Sequence, residues 1–104
     1  MTYQFLQLEQ QNQVATVWIN RAELHNAFNT QVIEELHACF QALNSRDDVR
    51  VVVLAGRGKS FSAGADLNWM KQAGQASQAE NEADALKLAK MLQSLATLKQ
   101  PTIA

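Results

Sequence analysis

The chain has 104 residues, 47% of them hydrophobic and 18% charged, with a formal net charge of −1 at pH 7. That size and balance suit one folded domain and exclude a disordered or low-complexity polypeptide. No stretch concentrates Lys and Arg, so neither a nucleic acid nor an anionic membrane surface is an expected partner. Cys39 is the only cysteine, which excludes an intrachain disulfide and a cysteine-built metal site. The start, Met1-Thr2-Tyr3-Gln4-Phe5, has neither the basic nor the apolar part of a secretory leader. No apolar run reaches membrane-spanning length, and the expected compartment is the cytoplasm.

In chain order, Tyr3 to Glu9 alternates loosely and predicts a strand, Gln10 to Gln13 a turn, and Val14 to Ile19 the second strand of a hairpin. Trp18 is expected in the hairpin core. Asn20 to Phe28 predicts an irregular loop. Asn29 or Thr30 caps a helix whose apolar face is Val32, Leu36, Cys39, Phe40 and Leu43, at spacings of three and four. Glu34 and Glu35 sit early enough in it to favour its dipole and are expected at the surface, as is His37. Val49 to Ala55 is a nearly unbroken apolar run, the pattern of a strand covered on both faces. A glycine-rich turn follows, then a short helix over 66–72 and a small polar loop over 73–79.

Ser77-Gln78-Ala79-Glu80 fits a capping box for a long helix reaching about Leu98. Ala85, Ala89, Leu92 and Ala96, beside Leu88, Leu95 and Leu98, would form its wide apolar face. Pro101 permits a last strand. The order ββαβαα(β) predicts an α/β layered unit.

The chemistry concentrates in the turn, Gly56-Arg57-Gly58-Lys59-Ser60-Phe61-Ser62-Ala63-Gly64-Ala65-Asp66-Leu67-Asn68. A phosphate loop ending at Gly58-Lys59-Ser60 needs a glycine where Val53 stands, inside the strand. A dinucleotide fingerprint from Gly56 and Gly58 fails because its third glycine is Phe61. A hydrolase elbow around Ser62 lacks its first glycine, and both histidines, His25 and His37, precede it. Two readings stand. In one, Ala63, Gly64 and Ala65 leave a main-chain N–H open to a ligand oxygen that carries or develops negative charge. In the other, they form a tight packed turn with Asp66 as the helix cap.

This turn, together with Ile19-Asn20-Arg21-Ala22-Glu23-Leu24-His25-Asn26-Ala27-Phe28, resembles the enoyl-CoA hydratase/isomerase (crotonase) superfamily. Asn-Arg-x-x-x-x-Asn-Ala and Phe-x-Ala-Gly-Ala-Asp are the segments that match. The resemblance covers essentially the whole chain and the N-terminal part of the family. Within the family, Ala-Gly-Ala-Asp-Leu-Asn-Trp-Met-Lys is similar to methylglutaconyl-CoA hydratase and related carboxylated enoyl-CoA hydratases.

The resemblance implies the N-terminal part of a crotonase-like spiral of ββα units, an acyl-CoA thioester as substrate, and no separate cofactor, since coenzyme A belongs to the substrate. It also implies a homo-oligomer built on trimers. The thioester oxygen would lie between two backbone N–H groups, the first being that of Ala65. The backbone at Ala63 and Leu67 would sit beside the adenine, with Gly64 and Asp66 in the same segment. Glu23, Leu24 and His25 would line the CoA channel, and Leu67 and Met70 would approach the acyl chain.

Two departures stand out. Ala22 replaces a frequent proline, and Glu23 replaces a frequent basic residue; Arg57 or Lys59 could supply positive charge instead, but both are expected as solvated surface residues. The family's second oxyanion donor and its glutamates map beyond the Pro101-Thr102-Ile103 segment, so the expectation is a single truncated region, 1–104, with little or no hydratase turnover. The alternative is a non-catalytic acyl-CoA-binding or oligomer-interaction fragment.

Overall fold

The computed structural model describes residues 3–59, 61, 62, 64 and 66–104. Strands β1 (Leu6–Gln11) and β2 (Val14–Ile19) form the expected antiparallel hairpin, with Leu6 opposite Ile19 and Gln11 opposite Val14. The second strand has the expected bounds, whereas the first starts and ends later than the apolar pattern suggests. Gln10 and Gln11 extend β1, and the reversal falls on Asn12, at φ 55, a left-handed conformation that Asn tolerates.

Helix α1 (Thr30–Asn44) starts at Asn29, whose side chain accepts the Val32 amide at 2.9 Å. It returns the chain to β3 (Val51–Gly56), which lies parallel to β2 with Val14 opposite Val51 and Ile19 opposite Gly56. Helices α2 (Leu67–Gln75) and α3 (Gln78–Ala96) lead to β4 (Thr102–Ile103), parallel to β3. The sheet order is β1-β2-β3-β4, the mixed α/β arrangement that the element order predicts.

The register places Ala15, Val17 and Ile19 of β2 beside Val52 and Leu54 of β3 on one buried face. On that face lie Val32, Ile33, Leu36, Cys39, Phe40 and Leu43 of α1. The opposite face is only half covered, as the alternation of buried and half-buried residues along β3 shows, so coverage on both faces is not realised. Trp18 lies on this second face rather than in the core. Its ring carries the Arg57 guanidinium 3.8 Å from the centroid, and its Nε1 donates to Glu9 Oε2 at 3.2 Å.

Two further expectations change for packing reasons. The loop over 73–79 shrinks to Ala76-Ser77, because α2 continues to Gln75 and Ser77 caps α3 by accepting the Glu80 amide. Asn81 Nδ2 donates to the Ala73 carbonyl at 3.0 Å, joining the Ala76 amide on the same acceptor at the helix end. The face of α3 is also narrower and rotated. Met91 is buried and Leu88, Leu95 and Leu98 half-buried, whereas Leu92 is 51% exposed and Ala85, Ala89 and Ala96 face outward. The helix packs on α1 rather than on the sheet, and a helix–helix seam covers a thinner stripe than a sheet does.

Candidate functional site

The loop over 20–28 is held by its own motif residues. After a single 3-10 turn, Ala22–Leu24, both His25 and Asn26 adopt positive φ, 53 and 57. This local strain is offset by bonding at Asn26, which is fully buried. The Asn26 amide donates to the Arg21 carbonyl at 2.9 Å, and its Oδ1 accepts the Arg21 amide at 2.8 Å. Its Nδ2 reaches across to the Arg57 carbonyl at 2.7 Å, at the end of β3.

Arg21, 8% exposed, donates to the Ala27 carbonyl at 2.9 Å and pairs with Asp66 at 2.9 Å. Its guanidinium also lies 5.1 Å from the Phe5 ring centroid. The spacing Asn-Arg-x-x-x-x-Asn-Ala thus encodes a self-bonded loop that grips both ends of the glycine turn.

Gly56 is required where β3 meets this loop. A Cβ there would lie 2.5 Å from the Phe61 carbonyl oxygen and 2.8 Å from Asn26 Nδ2. The turn is tied down again at Ser62, whose hydroxyl donates to the Asn26 carbonyl at 3.0 Å and accepts the Gly64 amide at 3.1 Å. The Phe28 amide donates to the Gly64 carbonyl at 2.6 Å, and the Asp66 amide donates to the Phe28 carbonyl at 2.7 Å.

Asp66 then caps α2, its Oδ1 accepting the Trp69 amide at 2.9 Å. That amide first, and the Arg21 guanidinium after it, hold the Asp66 carboxyl below the usual carboxylate range despite the opposing effect of burial. Asp66 is a permanently charged anchor at neutral pH, as its reading as a cap requires.

Five of the residues singled out in the sequence gather around one open groove of about 450 Å³: Glu23, Leu24, His25, Asp66 and Leu67. Ala27 and Asn68 complete its lining. Leu24 and Leu67 present apolar surface to solvent there, Leu67 being 80% exposed. Met70 and Phe61 are also exposed. Ala63 and Ala65 lie outside the described residues. Gly64 has both backbone groups engaged, yet a Cβ added to it would meet nothing within 4 Å.

Elsewhere, several surface expectations are corrected. Glu35 is 6% exposed and accepts the Phe5 amide at 2.9 Å and Gln31 Nε2 at 2.8 Å, so it anchors the N-terminal segment. His37 is half-buried, with Nδ1 3.2 Å from Ser94 Oγ. Glu34 stays exposed and pairs with Lys87 at 3.0 Å. Arg57 keeps to the surface, as expected, and bonds Glu9 and Gln7 on the outer sheet face.

Sequence reasoning missed the roles of Arg21, Asn26 and Ser62 as the framework of the site. Their signal was present in the two quoted motifs, but nothing in their spacing says that the segments meet. Among the described residues, no helix is long and apolar enough to cross a membrane.

Residues 9–104 match the model of a family described as enoyl-CoA hydratase/isomerase. The chain is 35% identical over 91 residues to a Thermus thermophilus protein bearing the name of an enoyl-CoA hydratase, covering 88% of this chain and 36% of that one. It is 38% identical over 92 residues to the mouse mitochondrial Delta(3,5)-Delta(2,4)-dienoyl-CoA isomerase, covering 88% of this chain and 27% of that protein. The crystal structure of an enoyl-CoA hydratase from Shewanella pealeana superposes with a TM-score of 0.92 at 32% identity, over 95% of this chain and 37% of that one. The chain therefore spans about a third of the length of such relatives.

Proposed function

The chain belongs to the enoyl-CoA hydratase/isomerase family, and from that premise we propose that its groove holds an acyl-CoA thioester whose carbonyl is polarised by the Ala65 backbone N–H. Hydratases and an isomerase both stand among its relatives, and both reactions gain from a thioester oxygen that can accept negative charge. The single observation that carries the reading is the convergence of Glu23, Leu24 and His25 with Asp66 and Leu67 on one groove, at the end of the small-residue turn.

The backbone pattern supports it. Phe28 bonds the carbonyl of residue 64 and the amide of residue 66. A backbone donor of the kind proposed is typically worth ~3 kcal/mol in the transition state.

In the same proposal, Glu23, Leu24 and His25 line the coenzyme A channel, and the backbone at Ala63 and Leu67 would sit beside the adenine, with Gly64 and Asp66 in the same binding segment. Leu67 and Met70 flank the acyl chain. The finer assignments belong here too: a carboxylated enoyl thioester of the methylglutaconyl type as substrate, assembly as a trimer-based homo-oligomer, and work in the cytoplasm.

The test uses hexanoyl-CoA carrying a ¹³C-labelled thioester carbonyl, a saturated ligand with no double bond to hydrate. Calorimetric titration should show the thioester binding more tightly than free coenzyme A, and the bound carbonyl stretch should shift to lower frequency. Met70→Ala should weaken thioester binding about tenfold, the value of one lost apolar contact, and leave free coenzyme A unaffected. An unshifted carbonyl, or equal affinity for the thioester and for free coenzyme A, overturns the reading.

A further inference from the structure

The groove lining is unbalanced in charge. It holds two carboxylates, Glu23 and Asp66, and neither Lys nor Arg. The residues outside the description, Met1, Thr2, Ser60, Ala63 and Ala65, have no cationic side chain to add. Asp66 is answered by the Arg21 guanidinium at 2.9 Å and is committed to capping α2. Glu23 is exposed and, among the described residues, bonds to nothing. The cations that would answer it are elsewhere. Arg57 stacks on Trp18 and pairs with Glu9 on the outer sheet face, while Lys59 and Lys71 are exposed and outside the lining. The rest of the lining is apolar surface from Leu24, Ala27 and Leu67, with the His25 ring and the Asn68 amide as polar groups.

An acyl-CoA thioester has two chemically distinct ends. Its acyl-pantetheine arm is uncharged and carries amides, whose N–H groups suit a carboxylate acceptor and whose carbonyls suit an amide donor. Its nucleotide end carries a diphosphate and a 3′-phosphate, all anionic. Phosphate sites are built from charge-assisted donors, above all Arg and Lys. An unpaired carboxylate instead repels any anion within a Debye length, ~10 Å at ~0.1 M salt. The α2 N-terminus, the other place where an anion is drawn, is occupied by the Asp66 carboxylate.

We propose that Glu23 is a specificity-determining residue: the groove grips a thioester by its acyl-pantetheine arm and gives the phosphates no attraction. Pantetheine thioesters therefore bind at least as tightly as coenzyme A thioesters. The inference rests on the proposed function, since it concerns which part of that ligand is held.

The experiment titrates the chain with hexanoyl-pantetheine, hexanoyl-3′-dephospho-CoA and hexanoyl-CoA, each with the ¹³C-labelled carbonyl. Wild-type affinity should not rise along that series. Raising salt from ~0.05 to ~0.5 M should strengthen hexanoyl-CoA binding roughly threefold by screening a repulsion, and leave hexanoyl-pantetheine unchanged. Glu23→Gln, which keeps an acceptor oxygen, should strengthen hexanoyl-CoA binding roughly three- to tenfold without changing hexanoyl-pantetheine. Glu23→Lys should move the ratio of the two affinities further, whereas Lys59→Ala and Lys71→Ala should leave it as in the wild type.

Tighter binding of hexanoyl-CoA than of hexanoyl-pantetheine by the wild type, or hexanoyl-CoA affinity that falls with salt, overturns the proposal. So does a ratio that Glu23→Gln leaves in place or that either lysine variant lowers. The salt series needs no variant, so the proposal stays exposed to refutation whatever the substitutions do to folding. Failure of every thioester to shift its carbonyl on binding defeats the proposed function instead, however the affinities rank.

Discussion

The two halves of this molecule are held by different physics. On one side, α1 lies across β2 and β3 through an apolar interface in which Val17, Ile19, Val32, Cys39, Phe40, Leu43 and Val52 have no measurable exposure. On the other, the loop over 20–28 meets the turn over 56–66 through hydrogen bonds and an ion pair of Arg21, Asn26, Ser62 and Asp66. The apolar half tolerates small shifts because its attraction is non-directional. The polar half does not, because each bond fixes an angle and each buried partner left alone is costly. The proposed ligand groove adjoins the directional half, and the apolar half serves as its rigid base.

The comparison can be broken most forcefully at Phe40, the largest fully buried side chain. Phe40→Ala should cost about 3–5 kcal/mol in a denaturant unfolding experiment, as a cavity opens between helix and sheet. Thioester binding at temperatures where the variant remains folded should change little.

Arg21→Ala should cost about 3 kcal/mol or more, since it strands the Asp66 carboxylate and the Ala27 carbonyl in a buried place. Unlike Phe40→Ala, it should also weaken hexanoyl-CoA binding in the still-folded protein. Equal effects of the two variants on binding would erase the distinction drawn between the halves.

The mildest probe is pH. Burial raises the Cys39 thiol above its ordinary value and, as the first of several causes, pushes Tyr3 up to about 12. Both groups stay protonated in the folded chain where an unfolded thiol, titrating near ~8.5, already loses its proton. The unfolded state then binds fewer protons, so stability is complete below about pH 8.5 and falls as pH rises toward the folded values. Melting temperatures measured from pH 7 to 10 should decline, and Cys39→Ala should flatten the decline despite a lower starting value.

Much of this was legible in one dimension. The face of α1, the Asn29 cap, the β3 run and the ββαβαα(β) order follow from periodicity and capping chemistry, which are local. Residues at 23–25 and 66–67 were legible only through family resemblance, and the groove in which they meet could be seen only in three dimensions. Trp18, Glu35 and His37 were misread for one reason. A polar or amphipathic side chain has no intrinsic preference for core or surface until a partner is brought to it.

For this protein, the amino-acid order alone settled which segments are strands and helices and which face of α1 is greasy, because those preferences act between residues three or four apart or alternate along a strand. It did not settle that Asn26 reaches the Arg57 carbonyl, that Arg21 finds Asp66, or that Ser62 bridges two loops. Those bonds join positions 31, 45 and 36 residues apart in the first, second and third cases. Only the parallel alignment of β2 with β3, imposed by α1 crossing over the sheet, brings their ends close enough to bond.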